Sequence, residues 1–479
     1  MAEVVVVGGG VAGLGVALAL AGQDHHVTVL ERDALPEAAS PEEAFAAWQR
    51  RGAPQARHSH AFLARLRNLL RDRAPAVLAE LLAAGATEID LVAHPPAALA
   101  GMPAQPGDED LVDIACRRTT FEWVLRRHVA ATGAADLRTA DVTGLVAGPD
   151  RPGADPPQVG GVHLAGGEVV AADVVVEAAG RRSPLPRWLA AIGAGPVDET
   201  EEGTGIVYSS RFYATTPGGG APPLDRLVLG DLGHLKYALF PGDNGTFSIT
   251  FGVRADDAEL RSLLRAGPFT RAARALPLRP WLEPGASEPI TGVEVMGGLV
   301  NRLRRFSPGG RPAATGVFAV GDSSVCTNPL YGRGCALALV QAFALADVLA
   351  AHPVAGDDAS LAFDRATAAE VEPWYRAAVA QDQADRADAA AAAAGDASGA
   401  GMAAILREGL LPAARTDPLV YRAFVRSFNL LDPPGTMMAD PEVVGRIMAT
   451  WRARDQLGPA AADAGPTRAE LLAILGDEP

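Results

Sequence analysis

The sequence predicts an α/β fold in three parts: a Rossmann-like nucleotide-binding domain, an antiparallel β-sheet domain that forms a substrate pocket, and a C-terminal helical region. Three observations carry this. Residues 3–31 read as strand, glycine turn, helix of small residues and second strand, a βαβ unit at its expected scale. The short apolar runs 174–177 and 316–320 have the unbroken pattern of strands buried on both faces of a parallel sheet. Residues 246–251 instead alternate, Thr-Phe-Ser-Ile-Thr-Phe, as antiparallel strands with one buried face do, and the chain after about 340 is mostly helical in pattern.

Taken in order, 3–7 is the first strand, 11–22 the first helix and 27–30 the second strand, ending at Glu31. Leucines at helical spacing predict one helix over 61–82, and 117–131 predicts another. The span 142–173 reads as short strands broken by a Pro/Gly stretch, 149–157, at an exposed hairpin tip. The Ala/Gly/Asp stretch 388–401 reads as a loose connection, and Thr467 with Glu470 as the capping box of a last short helix. At 479 residues the chain exceeds one compact core. Residues 1–60, 110–190 and 301–350 are assigned to a discontinuous nucleotide-binding domain, 61–109 and 191–300 to the substrate-binding domain, and 351–479 to the helical region.

Composition excludes several classes. A net charge of -15 lacks the basic footprint that general nucleic-acid binding needs. The three cysteines, Cys116, Cys326 and Cys335, are odd in number and match no metal-ligand spacing, so neither a disulfide framework nor a metal site is expected, and a reducing cytoplasm fits best. The N-terminus lacks the layout of a signal peptide, and no membrane span is expected.

Three motifs point to chemistry. The first is Gly8-x-Gly10-x-x-Gly13, with Glu31 eighteen residues after Gly13 and followed by Arg32. Gly8 permits the tight turn, Gly10 a close approach of backbone to a pyrophosphate, and Gly13 the packing of helix on strand. Val11 and Ala12 open the helix, whose free N–H groups and partial positive charge suit phosphate. Glu31 can accept both hydroxyls of an adenosine ribose, which argues against a 2′-phosphate there. The second motif is the run 316–322 ending at Gly321 and Asp322, followed by Asn328-Pro329-Leu330-Tyr331-Gly332-Arg333-Gly334 and a helix. Asp322 can accept from a ribityl hydroxyl. The N–H groups after Gly332 and Gly334 can face the pyrimidine edge of a flavin and stabilise negative charge in its reduced state. The third is Asp173-Val-Val-Val-Glu177-Ala178-Ala179-Gly180-Arg181-Arg182-Ser183.

In this order and at these separations the motifs resemble those of the flavoprotein monooxygenases of the para-hydroxybenzoate hydroxylase superfamily. Within it the chain is most similar to bacterial FAD-dependent epoxidases of polyketide olefins. Those enzymes carry Pro-Gln-Gly-Arg-His-x-His where this chain has Pro54-Gln55-Ala56-Arg57-His58-Ser59-His60, and they share the turn at 328–334. The resemblance implies the FAD-binding fold of that superfamily, with Pro329 and Gly180 beside the cofactor, Arg118 against it, and Arg57, His58 and His60 near the flavin or the substrate mouth. His58 and His60 are then the candidates for a catalytic acid or base. It implies that reduced FAD reacts with O2 to a C4a-hydroperoxide. One oxygen then passes to an olefin or aromatic ring of a small organic molecule in secondary metabolism. Electrons come from NADPH or NADH, directly or through a separate flavin reductase. One departure bears on that choice. The usual Asp-Gly of the third motif is Ala179-Gly180 here, which puts direct reduction in doubt.

Other flavin chemistries are weighed on residues. No Trp-x-Trp pair exists among the six tryptophans, and the sole lysine, Lys236, lies outside any halogenase-like context. No redox cysteine pair supports a disulfide reductase. An oxygen-independent reductase of isoprenoid-like double bonds and a non-catalytic FAD-binding partner protein remain as alternatives.

Overall fold

The computed structural model describes residues 1–148, 156–393, 405–456 and 465–476. Five parallel strands form its first sheet, in the order Val317–Ala319, Val174–Glu177, Ala2–Val7, His25–Glu31, Asp136–Thr139. Valine dominates the inner strands, which are buried because both faces are covered. The register sets Val7 beside Leu30 and Glu177, and Glu177 beside Ala319. The carboxyl ends of the inner strands therefore share one edge, where open α/β sheets bind ligands.

Helix Val11–Leu20 packs on this sheet against helix Gly334–Ala351. Contact is close: a Cβ on Gly15 would sit 2.5 Å from Leu339 Cδ2. Gly334–Ala351 is long and apolar enough to cross a bilayer, yet 67% of it is buried inside the fold, where it serves as a core helix. The predicted single helix over 61–82 is two, Ala64–Arg73 and Pro75–Ala83. Pro75 has no N–H to continue the first, so it opens the second, and Ala74 leaves the helical region at φ -148°. Leu66, Leu70, Val77 and Leu81 of this pair join the hydrophobic core that covers the parallel sheet.

The antiparallel sheet runs Val228–Asp231, Lys236–Pro241, Thr246–Arg254, Ile206–Thr215, Ser287–Pro289, with Glu294–Met296 also on Ile206–Thr215. Here the expectation of one buried face is corrected. Phe247, Ile249 and Phe251 enter a core with Phe269 and Trp281, but Thr246, Ser248 and Thr250 are buried as well. The polar face meets the segment around His58 rather than water. The capping box at the C-terminus forms: Thr467 N–H donates to Glu470 Oε2 at 2.8 Å, and Glu470 N–H to Thr467 Oγ1 at 3.4 Å. The helix it opens, Arg468–Gly476, returns Leu471 and Leu475 to the antiparallel-sheet core.

Of the expected loose stretch 388–401, residues through Ala393 continue helix Glu372–Ala393, because alanine is the best helix former. Residues 394–401 lie outside the described residues, as do 149–155 of the expected hairpin tip. The strands flanking that tip, Val142–Ala147 and Val159–Leu164, pair antiparallel as expected.

Candidate functional site

One cavity opens at the carboxyl edge of the parallel sheet and reaches the antiparallel sheet. Its nucleotide end is shaped by glycines doing different things. Gly8 has φ +107° and donates its N–H to Leu30 O at 2.8 Å; a Cβ there would lie 2.6 Å from Ala178 O. A Cβ on Gly13 would lie 1.8 Å from Gly8 O, so Gly13 packs helix on turn and does not reach the cavity. Gly10 differs. Its φ is -88°, and the nearest protein atom to an added Cβ is 3.6 Å away. Nothing in the protein itself requires glycine there; the missing side chain is cavity space. Gly10, Val11 and Ala12 line the wall, and helix Val11–Leu20 has neither a side-chain cap nor an acid in its first turn. Its leading N–H groups carry the partial positive charge of a helix start.

Glu31 faces the same space while buried. Its Oε2 accepts from Gly9 N–H at 2.9 Å and from Arg50 Nη2 at 3.1 Å, and Oε1 accepts from Asp33 N–H at 2.9 Å. Each carboxylate oxygen can accept more than one bond, so Oε1 keeps capacity for a hydroxyl. Arg32 lines the cavity from an exposed position.

Arg50 was not singled out from the sequence. It is buried, and it begins a row of alternating charges along the cavity. Arg50 Nη1 lies 3.3 Å from Glu122 Oε2; Glu122 Oε1 accepts from Arg118 Nε at 2.7 Å; Arg118 Nη1 reaches His60 Nε2 at 3.1 Å and Cys335 Sγ at 3.3 Å. Burying each of these charges alone would be strongly unfavourable, and the row compensates them in turn. Helix Arg118–Thr132 presents Arg118 and Glu122 together because they are four residues apart, on one helix face. That i, i+4 spacing was the available signal for Glu122. Arg50, in a loop, had none.

The row fixes the state of His60. Arginine only donates, so His60 Nε2 accepts, and Nδ1 carries the proton that goes to His58 O at 3.0 Å. Burial, then the Arg118 cation, pulls the His60 pKa down to about 3. His58 is also neutral: burial, then Arg181, pulls it to about 4. It does not line the cavity. Its Nδ1 meets Ser210 Oγ at 3.1 Å, and its ring stands edge-on to Tyr208 at 4.7 Å. A hydroxyl network continues from there: Ser210 to Thr250 at 2.8 Å, Thr250 to Ser59 at 2.6 Å, and Ser59 donating to Ser248 at 2.7 Å. Arg57 turns away, over the Phe45 ring at 4.9 Å, and is not part of the wall.

Gly180, Gly321, Asp322, Pro329, Gly332 and Gly334 also line the cavity, and Gly321 lies against Ala12, whose Cβ is 3.0 Å from where a Gly321 Cβ would sit. Gly321 and Gly332 need glycine for φ of +67° and +66°. Gly334 opens helix Gly334–Ala351, which again has no side-chain cap. Asp322 sits before it, its carboxyl raised by burial against the opposing pull of Arg118. Gln55, Ser59, Tyr208, Phe240 and Thr327 add to the lining; Tyr208 and Phe240 come from the antiparallel sheet. Among the described residues no group of acids, histidines and cysteines could hold a metal ion. All three cysteines are free and buried, and Cys335 borders the cavity.

Residues 3–103 match the family model described as FAD dependent oxidoreductase. Protein Rv3254 of Mycobacterium tuberculosis (strain ATCC 25618 / H37Rv) is 29% identical over 476 residues, spanning 93% of each chain. Among solved structures, pqsL, a probable FAD-dependent monooxygenase from Pseudomonas aeruginosa, superposes with a TM-score of 0.56 at 18% identity, over 80% of this chain and 95% of that one. The Diels-Alderase PyrE3 of the pyrroindomycin pathway gives 0.58 at 19% identity, over 90% and 80%. At such identities the structural likeness shows the fold, a Rossmann-like FAD-binding domain joined to an antiparallel sheet. The spread of activities among its bearers shows that the fold does not set the reaction.

Proposed function

We propose that the chain binds FAD along this cavity and uses it as a monooxygenase on a small organic substrate. One observation carries the reading: two uncapped helix starts, Val11–Leu20 and Gly334–Ala351, open on the same cavity. That suits a long anionic dinucleotide whose reactive ring also gains from a helix start. The family match over 3–103 supports the same cofactor.

The residues present fit the group. Gly10, Val11 and Ala12 would hold the pyrophosphate, Glu31 the adenosine ribose through Oε1, and Asp322 the ribityl chain. The N–H groups after Gly334 would meet the pyrimidine edge. When bound, FAD supplies the redox and oxygen-transfer chemistry. The protein's own part is positioning and water exclusion. Arg118 and His60 brace one wall through a fixed hydrogen bond. Burial keeps His60 and His58 uncharged and only weakly basic at neutral pH, so they are assigned to shaping the site rather than to acid–base work. Tyr208 and Phe240 offer an aromatic surface to an olefin or aromatic substrate. Epoxidation of an unsaturated secondary-metabolite intermediate is the finer reading, and it rests on the resemblance at 54–60 and 328–334. With Ala179 where the resemblance calls for Asp, we assign flavin reduction to a separate reductase drawing on NADPH or NADH.

The test is reconstitution with FAD followed by anaerobic titration with NADPH, then NADH, read by the visible spectrum. A flavin that stays oxidised with both nucleotides but bleaches once a flavin reductase is added is the expected result. Bleaching by nucleotide alone would replace the two-component assignment with a self-sufficient enzyme. Absence of a flavin band after adding FAD would sink the cofactor assignment, and turnover without oxygen would favour a reductase.

A further inference from the structure

The turn 328–334 is held from behind by one helix, Glu372–Ala393, through two separate contacts. Asp382 on that helix is 4% exposed. It accepts from Asn328 Nδ2 at 2.8 Å, Tyr331 Oη at 2.8 Å and Asn301 Nδ2 at 2.6 Å. Asn301 Oδ1 in turn accepts the Asn328 N–H at 2.7 Å, and Asn328 Oδ1 accepts the Leu330 N–H at 3.1 Å. Eight residues earlier on the helix, Trp374 lies 5.0 Å from the Arg333 guanidinium, which also lies 4.8 Å from the Tyr331 ring. Arg333 makes no ion pair among the described residues, and its Nε and Nη1 are buried without partners, so the two rings are its main contacts.

A buried carboxylate held only by neutral donors is an unfavourable way to glue a helix down; an apolar side chain packs there without the desolvation penalty. Two of the three Asp382 bonds end on the turn and the third on Asn301, which itself holds the turn backbone. The arrangement therefore specifies a geometry. Directly after the turn come the uncapped N–H groups of Gly334–Ala351 at the cavity wall.

We infer that Asp382 is a positioning residue: acting through Asn328 and Tyr331, it sets where the helix start at Gly334 points into the cavity, and so tunes how tightly the flavin is held and how readily it accepts electrons. This rests on the FAD reading above. Donors aimed at the pyrimidine edge favour the reduced ring, so slackening the turn lowers that preference.

The experiment compares the full-length chain with Asp382→Ala and Tyr331→Phe, and with Arg376→Ala as a control. Arg376 lies on the same helix but pairs with Glu372 at 2.8 Å, not with the turn. Hydrogen exchange across 328–334 is read in the protein without FAD; FAD affinity and the two-electron midpoint potential are read with it. Asp382→Ala is expected to speed exchange in the turn, weaken FAD about tenfold, and lower the preference for reduced flavin about tenfold, equivalent to about 30 mV. Tyr331→Phe should move the same readings the same way by less, and Arg376→Ala should leave them unchanged. Wild-type exchange and potential in both Asp382→Ala and Tyr331→Phe would overturn the inference. If Asp382→Ala does not fold, Tyr331→Phe decides. If the wild type binds no FAD, the cofactor reading fails, while exchange in the turn still tests the clasp.

Discussion

The nucleotide end of the cavity and the antiparallel-sheet end are assembled by opposite routes. At the first, Gly8, Gly10, Val11, Ala12 and Glu31 come from one continuous βαβ unit, and backbone geometry alone places them. At the second, Ser59 of the wall and His58 behind it meet Ser210, Ser248 and Thr250 from strands some 150 to 190 positions away. Strand register does the placing there: Ser210 pairs directly with Thr250, which aligns two hydroxyls on one face. The difference teaches that a site can be half local and half topological. The two halves should also fail differently when altered.

The largest effect is expected between the halves, in the charged row that links them. Glu122→Gln leaves Arg50 and Arg118 buried without their shared carboxylate, and should lower unfolding free energy by about 3–5 kcal/mol, read by denaturant titration. A loss below about 1 kcal/mol would mean the row is not an energetic unit.

Next come the local glycines. Gly13→Ala should cost about 3 kcal/mol, because its Cβ has no room beside Gly8 O. Gly10→Ala should stay within about 1 kcal/mol of wild type in stability, yet bind FAD at least tenfold more weakly. Equal stability losses in the two variants would erase the distinction between a packing glycine and a ligand glycine.

The topological half carries a pH signature. His58 titrates at about 4 in the fold against 6.5 when unperturbed, because burial penalises its cation. The unfolded chain then takes up a proton that the folded chain refuses. Stability from His58 is complete above about pH 6.5 and is lost as pH falls towards 4, by about 1.4 kcal/mol per unit. Glu177, raised to about 7 by burial, acts in the opposite sense, so the comparison must be between variants. His58→Asn should flatten the acid slope by about that amount in melts between pH 4 and 6.5; an unchanged slope would show that His58 is not held neutral. Ser59→Ala should have the smallest effect, about 1 kcal/mol, with the loss depending on Thr250 in a double-mutant cycle.

Much of the nucleotide end was legible beforehand because a turn with φ +107° at Gly8 and a contact of 1.8 Å at Gly13 admit only glycine. Such demands leave marks at fixed spacing. Gly321 and Gly332, with φ of +67° and +66°, are marked in the same way, and Asp322 directly follows the first of them. Arg50 and Asp382 are not. Neither is tied to a backbone position that only one residue type can fill, and each is recognisable only by what it touches elsewhere in the chain. Arg57 illustrates the converse: it shares a motif with His60, but a 3-10 turn at Pro54–Arg57 sends it over Phe45 and away from the cavity.

The sequence by itself determined the parallel-sheet order of chemistry, with a glycine turn, an acid at the end of the second strand and a second glycine turn opening a helix. Those follow from backbone sterics, which act between neighbours in the chain. Only the tertiary structure decided that the polar face of Thr246–Arg254 is buried, that His60 must carry its proton on Nδ1, and that a C-terminal helix holds the turn beside the cavity. Burial and hydrogen-bond partnership are properties of three-dimensional neighbours. A serine or histidine looks the same in the chain whether water or another strand lies against it.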